Sequence, residues 1–444
     1  MPFPRATRRT FLQAVLASSG LAAWRDAFAL TRSLPTPAPA GPLTVWSGAI
    51  TADSATVKAW VGPEIGAQLV IYPIDAPLTQ LTFPSTPTPA EEIGVRTFEL
   101  AGLTADTAYE YCVKLDRPPG ARYLGRLRTF PAGAASFRFA FSSCAQTASE
   151  HPVFTTIKQR APLFMLHLGD FHYSDIAKNN PVLFRGAWKR VLGSKTQGSL
   201  YRKVPLISVW DDHDFGGNNS TGDSPSREAA RRVYQEFAAH YPLPAGTGDV
   251  PIHQAFTVGR VRFILTDLRS ERSSAREKDP AMRTAMGAAQ KAWFKQELLA
   301  AKAGGAGLII WGSSVPYIGR AGRGDSWGFF DIERRELADF IKTNAIENLL
   351  ILCGDAHMCA VDDGSNAAYA TNGGGAPLAV LHGSSLDRSS SFKGGPYSHG
   401  WYLPKKNEGC FGWVEVNDDG TNIRVDFSAR NQRDVVRMQF SVEV

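Results

Sequence analysis

Leu163-Phe164-Met165-Leu166-His167-Leu168-Gly169-Asp170-Phe171-His172-Tyr173 is the stretch on which the fold of this 444-residue chain turns. A short apolar run bounded by glycine is the pattern of a buried strand, and here it empties into an acid and then a phenol three residues on. The same grammar recurs along the chain. Phe137–Phe141 runs into Ser142-Ser143-Cys144, Leu206–Trp210 into Asp211-Asp212-His213-Asp214, Val261–Leu265 into Thr266-Asp267-Leu268-Arg269, and Leu349–Leu352 into Cys353-Gly354-Asp355-Ala356-His357. Helical segments lie among them: Ser226–Tyr241, Gly287–Lys302 and Asp331–Asn344. Their apolar residues fall at three- and four-residue spacing: Trp293, Phe294, Leu298 and Leu299, then Ile332, Leu337, Phe340 and Ile341. Strands alternating with helices predict an α/β domain over 136–444 with a largely parallel, buried sheet. Ligands of such sheets bind beyond the carboxyl ends of the strands. The five runs should therefore bring thiol, carboxylate, phenol and imidazole groups to one edge of one sheet. Acids crowded there repel one another unless cations lie between them, which predicts metal ions.

Upstream the grammar changes. From Leu43 to about Phe130 there are short strands and turn signals, as in Ser54–Val61, Gln68–Tyr72 and Thr107–Val113, with no helical period. Residues 43–131 are thus expected to form an all-β sandwich. The tail returns to strands at Phe411–Asn417, Asn422–Phe427 and Val435–Val444, with a turn at Asp418-Asp419-Gly420.

Taken together, these elements resemble the calcineurin-like metallophosphoesterases and, within them, the alkaline phosphatase D family. The resemblance covers both domains: Leu100–Tyr109 looks like the corner of a fibronectin or immunoglobulin-like module. It implies a four-layer α/β catalytic domain after the sandwich. Gly169-Asp170-Phe171-His172-Tyr173 is similar to the family's Gly-Asp-x-x-Tyr, in which Asp170 would bridge metals and Tyr173 would bind Fe³⁺. Asp211-Asp212-His213-Asp214 is similar to its Asp-Asp-His-Glu/Asp, making Asp212 a metal ligand and His213 the catalytic imidazole. Cys353-Gly354-Asp355-Ala356-His357 is similar to the late Gly-Asp-x-His, adding the ligands Asp355 and His357, and Cys144 stands where the family places a thiolate. The strand Gly307–Trp311 ends in Gly312-Ser313-Ser314 and offers no histidine, which favours an oxygen-coordinated second ion such as Ca²⁺, though other divalent metals remain open. Asn218 is a further candidate oxygen ligand or substrate contact.

The implied function is hydrolysis of small phosphorylated substrates, mono- or diesters, by metal-activated hydroxide. A different class, a surface binding protein with a non-catalytic phosphoesterase-like domain, is opposed by the intact run of acids and histidines. No Gly-x-Ser-x-Gly elbow supports a serine hydrolase. Several residues carry two readings. Arg269 is either a structural partner of Asp267 or a clamp on substrate phosphate. His172 should point away from Tyr173, in a supporting or surface position. Gly373-Gly374-Gly375 reads as a turn. Cys112 and Cys353 read as core, Cys359 as core or half of a bridge, and an odd five cysteines argue against a disulfide framework.

The N-terminus carries Thr7-Arg8-Arg9-Thr10-Phe11-Leu12-Gln13, an apolar run to Trp24, and Ala27-Phe28-Ala29. That order resembles a twin-arginine signal peptide over 1–29, followed by a linker with four prolines over 30–42. It implies use of the twin-arginine export machinery and a periplasmic or secreted protein. Removing 1–29 takes away Arg5, Arg8, Arg9, Arg25 and Asp26, so the formal charge of +6 falls by three. A mature chain so mildly charged gives no case for nucleic-acid binding, and no stretch of about 20 apolar residues predicts a membrane span. Replacing Arg8 and Arg9 by lysine should hold the precursor in the cytoplasm, because the paired guanidinium signal is receptor-read. Cell fractionation checks this; mature protein outside at normal levels would refute the signal.

Overall fold

The computed structural model describes residues 44–62, 66–116, 122–322 and 324–444. The expected signal peptide and linker lie outside them. The first strands are β1 (Thr44–Gly48), β2 (Ser54–Trp60), β3 (Ala67–Pro73), β4 (Leu81–Pro84), β5 (Val95–Ala101), β6 (Ala108–Leu115) and β7 (Arg122–Arg128). They pair antiparallel into a three-stranded sheet, β1-β2-β5, and a four-stranded sheet, β4-β3-β6-β7. Val57 and Phe98 of the first and Leu69, Ile71 and Tyr111 of the second bury into one apolar cluster.

That cluster continues into the rest of the chain, taking in Phe139, Phe164 and Phe256. Polar bonds cross the same seam. Trp46 Nε1–H donates to the Phe237 carbonyl at 2.8 Å, and the Tyr241 hydroxyl to the Ile50 carbonyl at 2.7 Å. The Lys58 ammonium, its pKa pulled down to about 8 by burial, donates to the carbonyls of Gln235 and Glu236. A buried ammonium held only by carbonyl dipoles and more distant acids is costly, so these bonds fix the seam rather than merely decorate it.

The strands that follow are β8 (Phe137–Ser142), β9 (Met165–Leu168), β10 (Leu206–Val209), β11 (Gln254–Val258), β12 (Val261–Leu265), β13 (Leu308–Ser313), β14 (Leu349–Cys353), β15 (Cys359–Asp362), β16 (Ala379–Gly383), β17 (Trp401–Tyr402), β18 (Cys410–Asp418), β19 (Ile423–Asn431) and β20 (Val436–Glu443). They form two mixed sheets, β10-β9-β8-β18-β19-β20 and β11-β12-β13-β14-β16-β15-β17. Pairing is parallel along β10-β9-β8 and β12-β13-β14-β16, and antiparallel elsewhere. The single, largely parallel sheet expected from the alternation of strands and helices is therefore corrected to two, in keeping with the four layers that the resemblance implied. Short apolar runs announce strands buried on both faces but carry no information on neighbours. Here β18 takes the place beside β8 that β12 would have needed.

Both faces of the strands that lead to the site are covered, while β19 is open on its outer face and β20 is exposed along its length. Phe139, Phe141, Leu166 and Leu168 of the first meet Phe263, Leu265, Leu350 and Leu352 of the second between the layers. Phe139 stacks on Phe164 with ring centres 5.0 Å apart and meets Phe263 edge-on at 5.5 Å. The intervening residues turn outward, as the two-residue period of a strand requires. Ala140, Met165 and Leu206 pack under helices α1 (Pro152–Arg160), α2 (Pro181–Gly193), α3 (Gln197–Tyr201) and, beyond the one-turn α4 (Asp212–Phe215), α5 (Arg227–Phe237). Ile264, Ile309 and Ile351 pack under α6 (Gly287–Ala303) and α7 (Asp331–Thr343). The body is thus helix, sheet, sheet, helix. Leu299 and Ile332, expected on the inner helix faces, are exposed. Helix α5 stops at Phe237 rather than Tyr241, with Ala238 already extended, and the residue before Pro242 disfavours a helical backbone.

Phe139→Ala, at the junction of the two inner faces, should lower unfolding free energy by about 3–5 kcal/mol. Urea denaturation of the two proteins measures it, and a loss under about 1 kcal/mol would mean the sheets do not share this core.

Candidate metal centre

β8, β9 and β10 of one sheet and β14 of the other end against one another. At Gly354 an added Cβ would lie 2.3 Å from the Leu168 carbonyl oxygen and 2.8 Å from that of Ser314. At Gly169 it would lie 2.4 Å from the Cβ of Asp211. The groups expected on one edge of one sheet are accordingly gathered from the abutting ends of two. Immediately past the strands the backbone swings left-handed at Cys144 (φ 63°), Asp170 (φ 56°) and Asp355 (φ 60°). Non-glycine residues adopt this conformation only where surrounding structure enforces it, and it turns each side chain back over the strand ends.

Among the described residues, potential ligand atoms within 4.8 Å of one another form three groups: Cys144, Asp170 and His357; Asp170, Asp212 and His213; and Asp170, Asp211, Asp212 and Asp355. Asp170 belongs to all three, the geometry of a bridging carboxylate. The Tyr173 hydroxyl donates to Asp170 Oδ2 at 2.7 Å and lies 3.1 Å from His357 Nε2. His357 Nδ1 is 2.6 Å from the Ser389 carbonyl, which can only accept, so Nδ1 carries the proton and the Nε2 lone pair is left for a cation. Cys144 Sγ is 3.5 Å from Asp170 Oδ2.

The electrostatics ask for positive charge. Burial and the neighbouring Asp212, Asp211, Asp214 and Asp355 push Asp170 well above the usual carboxyl range. Burial raises Asp355 and Asp214 to about 6 each and pushes the Cys144 thiol and Tyr173 phenol far up. Asp355 Oδ2 is buried and has no hydrogen-bond partner. An orphaned carboxylate oxygen beside a thiol, a phenol, an imidazole and more carboxylates fits metal ions as no set of hydrogen bonds among these groups would.

Arg269 has neither of its expected roles. Its guanidinium is fully buried, with Nε and Nη2 at 2.7 and 2.9 Å from the two Asp211 oxygens and Nη2 at 2.9 Å from Asp325. Asp267 instead accepts from Trp210, Ser270 and the Ile252 amide. Ser314, standing where a histidine was missing, donates to Asp211 Oδ1 at 2.8 Å. Asp211 thus spends its oxygens on Arg269 and Ser314 and acts as a buttress to Asp212. Asn218 is exposed, and its loop reaches the cluster through the Asn219 amide, which donates to Asp212. His172 is buried, not superficial, with its amide donating to Asp214. Cys112, Cys353, Cys359 and Cys410 are buried and form no disulfide.

Other groups at the centre were not anticipated. Asp175 holds His213 Nδ1, and its place two residues past Tyr173 was the available signal. Lys393 Nζ lies 2.5 Å from Asp355 Oδ1, and the Arg388 guanidinium lies over the Tyr173 ring, 4.0 Å from its centre. Both come from the Ser- and Gly-rich connection after β16, which carries no recognisable pattern.

The family described as PhoD-like phosphatase matches residues 139–431. Alkaline phosphatase D of Bacillus subtilis (strain 168) is 25% identical over 319 residues, 58% of this chain and 52% of that protein, so the match spans about half the relative's length. Among solved structures, one of PhoD superposes with a TM-score of 0.69 at 16% identity, covering 92% of each chain. Purple acid phosphatase PPD1 from yellow lupin (Lupinus luteus) seeds gives 0.59 at 14% identity, covering 90% of this chain and 74% of its own. At those identities the structures speak for the fold, a mixed two-sheet phosphatase body.

Asp355 and Asp214 have folded pKa values near 6 against an ordinary 3.8, so between those values the folded state holds protons the unfolded chain has lost. Stability of the chelator-stripped protein should therefore fall as pH rises from about 4 to about 6, and Asp355→Asn should flatten the slope. Denaturant titrations across that range measure it; equal slopes in both proteins would mean that Asp355 is not under charge stress.

Proposed function

This chain belongs to the PhoD-like phosphatase family, and on that premise we propose that it hydrolyses phosphate esters of small molecules at the Asp170 cluster. The observation that carries this reading is one buried carboxylate common to three adjoining donor groups. Metal ions bound there would supply a water acidic near neutral pH and a positive clamp on the attacking and leaving oxygens of an in-line displacement. Cys144, Asp170, Tyr173 and His357 offer thiol, carboxylate, phenol and imidazole donors suited to Fe³⁺. Asp212 and Asp355 with the shared Asp170 offer oxygens suited to Ca²⁺ or another hard divalent ion.

The chain's own residues supply the rest. With Nδ1 of His213 held by Asp175, Nε2 is the nitrogen left to hydrogen-bond the phosphate or donate a proton to the departing oxygen. Arg269, locked between Asp211 and Asp325, keeps the carboxylates in register without reaching substrate. Residues 44–128 bring no clustered acids or histidines to the centre among the described residues, and we assign that fibronectin-like part a structural role. No helix of the described residues is long and apolar enough to cross a membrane, which accords with export to the periplasm or beyond through the twin-arginine route read at residues 1–29.

A phenolate on Fe³⁺ absorbs visible light. Tyr173→Phe should bleach or shift that band, lower activity and leave the fold intact, because ring volume barely changes. Asp170→Ala should be worse, removing the group shared by every donor set. Metal analysis, visible spectra and rates on p-nitrophenyl phosphate decide. Active protein holding zinc alone, or an unchanged spectrum and rate in Tyr173→Phe, would overturn the iron assignment; a metal-replete chain hydrolysing no phosphate ester would overturn the function.

A further inference from the structure

One connection, the segment after β16, touches three of the candidate ligands from the solvent side. Ser389 accepts from His357, Arg388 covers the ring of Tyr173, and Lys393 contacts Asp355. Its two cationic side chains differ from Arg269 and Arg272, which are buried against Asp325. Arg388 and Lys393 are half-buried, so they stand where the cluster opens.

Neither is fully engaged. The Arg388 guanidinium gives Nη1 to Gln146, a neutral acceptor, and lies over the Tyr173 ring, while its Nε is buried and has no partner. A guanidinium without a carboxylate, with a donor unspent, is set up for a planar oxyanion. Lys393 has one bonded acceptor, Asp355, and a metal ion held by that carboxylate would compete with the ammonium for it. We infer that Arg388 and Lys393 form an anion grip that binds the non-bridging oxygens of the substrate phosphoryl group at the mouth of the Asp170 cluster. This rests on the phosphatase reading of that cluster and deepens it. Because attraction between fixed charges scales with the charge of the ligand, the grip holds a phosphomonoester dianion more tightly than a diester monoanion.

The test uses the full, metal-loaded chain and the variants Arg388→Met, Arg388→Lys and Lys393→Met. Calorimetry measures affinity for inorganic phosphate, and kcat/KM is compared for p-nitrophenyl phosphate and bis(p-nitrophenyl) phosphate. Metal content and melting temperature show whether each variant is intact. Loss of a charge-assisted contact should weaken phosphate binding roughly tenfold in Arg388→Met, with partial recovery in Arg388→Lys and unaltered metal content. The monoester should lose more than the diester. Phosphate affinity within about twofold of the parent in both methionine variants, or equal losses on the two esters, would overturn the grip. Lys393→Met that binds phosphate normally but loses metal would reassign Lys393 to balancing Asp355. A parent chain that binds phosphate through Arg388 yet hydrolyses neither ester would overturn the phosphatase reading and leave the grip standing.

Discussion

Repulsion among buried carboxylates governs this molecule. Asp170, Asp211, Asp212, Asp214 and Asp355 are all removed from water within a few side-chain lengths of one another. In so poorly screened a space each ionisation opposes the next, and the folded chain answers in two ways. Arg269 and Arg272, fixed by Asp325, neutralise the rear of the cluster permanently. At the front, where Asp170 meets Cys144, Tyr173 and His357, no guanidinium pairs with Asp170 among the described residues; Arg388 and Lys393 stand at the mouth, and the donor groups are left to exchangeable ions. The division separates a scaffold from a reagent: charges that must not move are met by guanidinium, and charges that take part in chemistry are left for ions that can bind water.

The four layers serve that division. Strands covered on both faces are rigid, and groups just past their ends inherit that rigidity. An active site on a single sheet edge would draw ligands from one row of strands only. By abutting two sheets, the fold places Asp170 and Asp355, from different sheets, in one ligand group. The apolar contact of Phe139 with Phe164 and Phe263 therefore bears on the metal centre as well as on stability, since it sets how the sheets face each other.

What was legible in the sequence followed from periodicity and from the chemistry placed at strand ends. The runs before Cys144, Asp170, Asp211 and Asp355 were recognisable because a buried strand is largely apolar, so the thiol or acid that follows the run marks its exit. Division into two sheets came only with the four-layer resemblance and not from periodicity, because nothing in Phe137–Phe141 says that its neighbour will be β18, some 270 residues later. Arg269 was misread for a related reason. Its partner Asp325 comes from an irregular loop, where no period predicts what folds back, and the same holds for Arg388 and Lys393.

The glycines that precede the two central acids carry a separate lesson. Gly354 leaves no room for even a methyl group against the Leu168 backbone of the other sheet, and Gly169 leaves none against Asp211 at the end of the neighbouring strand. The spacing between the donor groups is therefore a backbone dimension, as fixed as the gap between the jaws of a gauge. Substitutions among the surrounding side chains can alter which ions the centre prefers and how tightly, but not how far apart it holds them. A lineage built on this frame could trade one metal for another across generations while the distance over which an ester is stretched and cut stayed the same.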